Sequence, residues 1–315
     1  MYDWLASWIP AGTAFILAVQ RWSNPFLDQL FLTATYLGVD RFLVFLVAFI
    51  FWCVDRGIGL NLAYLLLTCD YVNSFLKNVF RLPRPAADGL RILRPETSPG
   101  FPSGHAQDGV AVWGYLAVQI RQPIAWLLAI FIIALVAFSR IYVGVHFPQD
   151  VVGGLLIGAV FLITYLALAP RLGSWFARQA LPLQIGLAVA VPLALWLIHP
   201  AEQHTLIGEI TLSYPSETMA GNMGFLIGIN LGFLAEQRYV RFRVGGPWWR
   251  RLLRLALGAT IILFFWQGLK VFIPAGLATA WVAVLRLVRY MLAGMAAIWW
   301  APWLFVQLGL AERQR

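Results

Sequence analysis

Three polar clusters carry the residues of this chain whose types and spacing can do chemistry. They read Lys77 through Arg84-Pro85, then Pro102-Ser103-Gly104-His105, then Ser139-Arg140 through His146 to Asp150. The chemistry they fit is phosphoryl transfer. A phosphate ester carries up to two negative charges, and moving its phosphoryl group depends mainly on positioning and electrostatics. Arg84 and Arg140 each offer forked donors to two oxygens, and Lys77 offers a compact charge. Ser103 and Gly104 open a predicted helix, where unpaired N–H groups favour an anion and glycine admits close approach. His146 precedes Asp150 by four residues. On a helix beginning near Pro148, the carboxylate accepts a hydrogen bond from one imidazole nitrogen. The other nitrogen is then free to attack phosphorus and form a phosphohistidine. His105 arrives from a different helix to protonate the leaving oxygen and then activate water.

Each group alone has an ordinary structural explanation. Arg140 at a helix end can be a snorkelling anchor, His146 a packing residue, and Ser103 a helix cap. Their joint placement argues otherwise, and it depends on the elements that carry them. The chain has 315 residues, is 61% hydrophobic and 12% charged, and has a mean hydropathy of +0.75. A helix needs about 20 mostly apolar residues to cross a bilayer, and such runs recur from end to end. The expected fold is all-α, a polytopic transmembrane bundle. Clear crossings are expected at about 41–54, 58–79, 105–121, 123–141 and 149–169. Others follow at about 181–199, 217–236, 252–273 and 279–310, the last as an interfacial helix followed by a crossing. Residues 4–20 lie in the interface or form a short crossing. Asn24-Pro25 starts an interfacial helix that carries Asp28. With alternating crossings, all three clusters fall on one membrane face. Ionisable groups there are costly and are usually functional.

The remaining features are weaker. Cys53 and Cys69 lie in apolar runs without metal-ligand spacing, and read as small buried hydrophobes. The opening Met1-Tyr2-Asp3-Trp4 lacks the basic start of a cleaved leader. Asp70, Asn73 and Asp108 lie near the clusters, either orienting the site or bonding helix to helix. Gly224, Gly228 and Gly232 form a stripe for close helix packing, within the chain or in a dimer.

The pattern Lys77-x6-Arg84-Pro85, Pro102-Ser103-Gly104-His105 and Ser139-Arg140-x5-His146-x3-Asp150 resembles the three-part signature of the type 2 phosphatidic acid phosphatase superfamily. The likeness covers about residues 24–170. It implies a six-helix phosphatase core within residues 1–174, and a transmembrane extension over 175–315. It also implies catalysis without metal or other cofactor, with His146 as nucleophile, Asp150 its partner and His105 the acid. Phosphate would be bound by Lys77, Arg84, Ser103, Gly104 and Arg140. The extra helices resemble the longer arrangement of sphingosine-phosphate and glucose-phosphate phosphatases, but no motif there selects either.

Net charge is +9, carried by loop arginines as topology signals rather than by a nucleic-acid surface. Arginines from Arg56 to Arg315 concentrate on the face opposite the clusters. The loop at 199–217 has Glu202, Glu209 and Glu217 but no Lys or Arg. The expected site therefore faces outward, to the periplasm, exterior or a lumen. The expected partners are the bilayer and an amphiphilic phosphate, either a lipid phosphate or a polyprenyl diphosphate such as undecaprenyl diphosphate. The alternatives are a soluble sugar phosphate, a non-catalytic lipid-phosphate binder or transporter, and a vanadate-dependent haloperoxidase. Oligomeric state leaves no mark in the sequence.

Overall fold

In the computed structural model, residues 2–206, 209–272 and 278–314 are described. Helices follow one another as α1 (Tyr2–Ser7), α2 (Ile9–Gln20), α3 (Pro25–Tyr36), α4 (Asp40–Phe49), α5 (Arg56–Phe80), α6 (Gly104–Ile120), α7 (Pro123–Tyr142), α8 (Pro148–Ala177), α9 (Leu181–Ile198), α10 (Glu217–Tyr239), α11 (Trp248–Trp266), α12 (Thr279–Met295) and α13 (Ala301–Gln307). Backbone groups in lipid must be satisfied within the segment, and helices do this. The only sheet among the described residues is two small pairs. β1 (Glu202–Leu206) lies beside β2 (Glu209–Ser213), and β3 (Phe242–Arg243) pairs antiparallel with β4 (Glu312–Arg313). The fold is the expected all-α membrane bundle.

Six helical runs among the described residues are long and apolar enough to cross a membrane: Pro123–Tyr142, Pro148–Ala177, Leu181–Ile198, Glu217–Tyr239, Trp248–Val271 and Ala280–Gln307. Three expected crossings fall outside this set: 41–54, where Phe42–Val54 is a shorter apolar helix, and α5 and α6. The last two spend residues on the polar clusters: Asp70, Asn73, Lys77 and Asn78 on α5, and His105, Gln107 and Asp108 on α6. The run at Ala280–Gln307 is helical throughout, with a π turn at Ala296–Trp300 joining its helices. Residue 273, the expected end of another crossing, lies outside the described residues, as does Arg315.

The chain forms two compact units. The first comprises Met1–Leu43, Thr68–Ala169 and Gln203–Leu212. Its helices start where the sequence has start signals. The Asn24 side chain caps α3 by accepting from the Leu27 N–H, with Pro25 at the first turn. Pro123 opens α7 in the same way. Buried Gln20, at the end of α2, donates to the carbonyls of Arg91 and Tyr142 and accepts from the Arg91 N–H. One amide thereby ties α2 to the loop before α6 and to the end of α7. Helix α8 meets the start of α6 at very short range. A Cβ on Gly154 would lie 2.4 Å from the Ser103 carbonyl oxygen, and one on Gly158 would lie 2.6 Å from that of Gln107. Only glycine fits there.

The second unit comprises Val44–Leu67, Pro170–Glu202 and Ser213–Arg315. The Gly224–Gly228–Gly232 stripe packs within the chain. Cβ atoms on Gly224 and Gly228 would lie 2.2 Å and 2.1 Å from the Leu287 and Met291 carbonyl oxygens of α12. At the far end of α10 the fully buried Glu236 pairs with Arg56 and accepts the Phe242 N–H, which positions β3 beside β4. Around them Phe51, Trp52, Phe242 and Phe305 form the densest apolar cluster.

Gly154→Val is expected to destabilise the protein by about 1–3 kcal/mol, the usual cost of overpacking, and to abolish whatever activity depends on Ser103. Gly186→Ala, on an exposed stretch of α9 with open space at its Cβ, should leave both intact. Thermal unfolding in detergent compares the two.

Candidate active site

The three clusters line one cavity of about 130 Å³ in the first unit, with Lys77, Arg84, Gly104, His105, Arg140 and His146 in its wall. Each arrives on a different structural device. Lys77 sits in the last turn of α5, buried, with its Nζ 2.6 Å from the Pro99 carbonyl oxygen. Arg84 comes from the proline-rich loop between α5 and α6. Its Nε donates to the Ser98 carbonyl at 2.6 Å, Nη2 to the Ser98 hydroxyl at 3.0 Å, and Nη1 to the Val145 carbonyl at 2.8 Å. Arg140, in the last turn of α7, is fully buried. Its Nη1 donates to the Thr35 hydroxyl and its Nη2 to a Glu96 carboxylate oxygen, both at 2.6 Å.

The turn after α7 delivers the histidine. Gly144 has a φ of +77°, a left-handed conformation that suits glycine, and a Cβ there would lie 2.4 Å from the Arg91 carbonyl oxygen. His146 follows, buried. Its Nδ1 lies 3.5 Å from an Asp150 carboxylate oxygen, and its Nε2 lies 3.2 Å from Arg84 Nη1. A guanidinium only donates, so Nε2 is assigned as the acceptor and Nδ1 carries the proton toward Asp150. Asp150 is fixed independently: its side chain accepts the Phe147 N–H at 2.9 Å, and its carbonyl accepts the Ser103 N–H at 2.9 Å. That second bond joins the third cluster to the second.

Ser103 sits at the N-cap of α6, but its hydroxyl makes no capping hydrogen bond. The Ser103 hydroxyl, His105 Nε2 and Arg140 Nε are buried polar atoms without a hydrogen-bond partner. Leaving such atoms unpaired costs roughly 1–3 kcal/mol each. His105 and Arg140 line the cavity, and Ser103 precedes Gly104 in its wall, so together they mark a place for an external polar group. Asn73 bridges α5 to α6, donating to Gln107 Oε1 at 2.9 Å, and its Oδ1 lies 3.1 Å from where a Cβ on Gly104 would be. It performs the helix-to-helix role, and its close approach leaves little space for a side chain at position 104. Asp70 and Asp108 line the same cavity.

Thr35, Glu96 and Ser98 escaped the sequence reading. Thr35 lies on α3, 105 residues from the arginine it holds. Nothing local marks it. Glu96 had a usable signal, a carboxylate in a loop otherwise rich in arginine and proline. Burial by itself raises the Glu96 carboxyl pKa, but the Arg140 and Arg84 guanidiniums outweigh burial and hold it below its usual range. Burial, then the charges of Arg84 and Lys77, push the His146 imidazole well below the ordinary histidine value. The neutral imidazole is therefore favoured.

Residues 58–174 match the family model for the PAP2 superfamily, and residues 220–313 match that for the PAP2 superfamily phosphatase transmembrane extension. The second match falls where no motif was legible. The lipid phosphate phosphatase delta of Arabidopsis thaliana is 25% identical over 259 residues, covering 77% of this chain and 60% of that protein. A probable sphingosine-1-phosphate phosphatase of Dictyostelium discoideum is 30% identical over 162 residues, covering 47% and 40%. Phosphatidylglycerophosphatase B of Bacillus subtilis (strain 168) is 30% identical over 148 residues, covering 43% of this chain and 71% of that protein. The chain thus spans 60% or less of the length of the first two relatives. It belongs to the PAP2 superfamily, as a multi-pass integral membrane protein.

A histidine whose pKa is depressed on folding binds its proton more readily when unfolded. Its contribution to stability is complete above the unfolded pKa of about 6.5 and is lost as pH falls below it. Wild-type protein should therefore lose more of its thermal midpoint between about pH 7 and pH 5 than His146→Gln does. Equal losses would place the titration elsewhere.

Proposed function

We propose that the protein hydrolyses the phosphate ester of a membrane lipid, or a polyprenyl diphosphate, through a covalent phosphohistidine. The observation that carries this reading is that His105 and Arg140, each with a partnerless buried nitrogen, line one cavity with His146. A binder or transporter needs only the cations, whereas this cavity also holds two histidines and a carboxylate.

In this reading phosphate sits on Lys77, Arg84 and Arg140, with the Ser103 hydroxyl and the amide end of α6 completing the cradle. Its arrival parts Arg84 Nη1 from His146 Nε2, and that nitrogen attacks phosphorus. The P–O ester bond breaks as the new P–N bond forms, and the alkoxide takes a proton from His105. Phosphorylated on Nε2 and still protonated on Nδ1, His146 is cationic, and the Asp150 carboxylate faces that charge. His105 then takes a proton from water, hydroxide attacks phosphorus, the P–N bond breaks, and inorganic phosphate leaves. No metal enters any step. An amphiphilic substrate suits a site at the ends of membrane helices, because its tail can stay in lipid. Residues 1–174 are the catalytic half and 175–315 the extension.

Purified protein should release phosphate from a lipid phosphate in excess chelator, and His146→Ala should lower kcat at least about a thousandfold. An acid-labile phosphoenzyme should be trapped from wild type and be absent from that variant. Full activity in His146→Ala sinks the mechanism. A panel of phosphatidic acid, phosphatidylglycerophosphate, a sphingoid phosphate, a polyprenyl diphosphate and glucose phosphate identifies the tail.

We further infer from the arginine asymmetry that the site faces away from the cytoplasm. A membrane-impermeant thiol reagent on intact cells should label Asp88→Cys, in the exposed loop before α6, and spare Arg178→Cys, beyond the far end of α8. Native Cys53 and Cys69 are buried. The reverse labelling pattern would invert the topology.

A further inference from the structure

The two arginines read as phosphate ligands are already held by groups of the protein itself: carbonyls, hydroxyls, one imidazole and one carboxylate. Arg140 is the clearest case. One terminal nitrogen is held by Thr35 and the other by Glu96, leaving only Nε without a partner. The other Glu96 carboxylate oxygen lies 4.0 Å from Arg84 Nη2. A single carboxylate therefore faces both guanidiniums that a phosphate must engage. It comes from a loop, and its side chain is 25% exposed, so it has room to swing away. Arg140 sits on a helix end, fully buried and anchored by Thr35, and does not.

We propose that Glu96 is a resident anion of the phosphate cradle, displaced from Arg140 when phosphate binds and returning to it when phosphate leaves. The inference rests on the reading of this cavity as a phosphate site, and it adds a residue that regulates that site. Two consequences follow from charge. A carboxylate carries one negative charge and two acceptor oxygens, whereas a phosphate monoester carries up to two charges and three free oxygens, so phosphate wins the exchange without binding irreversibly. The competition also weakens the hold on product. Inorganic phosphate would otherwise face three cations in a low-dielectric pocket, where each charge-assisted hydrogen bond is roughly twice as strong as a neutral one. Exchange with Glu96 lets it go.

The test is inorganic phosphate affinity, measured by calorimetry on purified protein in detergent, which needs no turnover. Glu96→Gln keeps the shape and removes the charge, and Glu96→Ala removes the contact altogether. Both are expected to bind phosphate about tenfold more tightly than wild type, the size of one charge-assisted hydrogen bond in competition. Glu96→Asp, the mildest change, should stay within about threefold of wild type. Thr35→Val, which removes a neutral anchor of Arg140 rather than a competitor, should bind phosphate more weakly. In turnover, Glu96→Gln should lower KM for the lipid phosphate by a similar factor and lower kcat where phosphate release limits it. If Glu96 merely orders Arg140, Glu96→Gln and Glu96→Ala will weaken phosphate binding and raise KM, and the proposal is overturned. If wild type binds phosphate and neither variant tightens, this inference alone fails. If neither wild type nor variants bind phosphate, the phosphatase reading fails with it.

Discussion

Lys77, Arg84 and Arg140 repel one another, and the rest of the first unit is arranged around that repulsion. Three cations in one small buried cavity oppose one another, because burial strips their water and the low dielectric strengthens their mutual field. The protein answers with oxygen. Pro99, Ser98 and Val145 turn backbone carbonyls toward the cations, Thr35 and Ser98 add hydroxyls, and Glu96 adds a charge. The proline-rich loop before α6 exists in this form because straight helix would have spent those carbonyls on itself. Irregular backbone at membrane depth is tolerated where it lines a polar cavity.

Holding the cations apart is half of the problem, and bringing the histidines to them is the other half. That falls to close helix contact. Gly154 and Gly158 allow α8 to reach the carbonyls of Ser103 and Gln107, and the Ser103 N–H then bonds the Asp150 carbonyl. The spacing between the third cluster and the second is thus set by the absence of two side chains. In water such glycines would weaken a helix. Between apolar helices, with no hydrophobic drive to associate, dispersion contact at short range holds the pair together.

The second unit repeats the logic with different residues. Gly224 and Gly228 bring α10 onto α12, and the buried Arg56–Glu236 pair organises the turn into β3. Half-burying a charge pair is expensive, and removing either partner would leave an uncompensated charge. Residues 220–313 of this unit are the ones that match the transmembrane extension.

Residue types and spacing along the chain were enough to pick out the polar clusters that line one cavity, the helical class and the helix starts at Asn24-Pro25 and Pro123. Those depend on local rules: side-chain ionisation, capping, and the length of an apolar run. Three things needed the tertiary structure. Thr35 reaches Arg140 across 105 residues, and no periodicity encodes such a partner. Ser103 looks like a cap, yet its hydroxyl is left without one, because the Ser103 backbone is held by Asp150 instead. The glycine stripe on α10 favours packing within the chain but also admits a dimer, and only the structure shows which helix, α12, occupies it. In each case the deciding quantity is a distance between atoms far apart in the chain, and packing alone sets it.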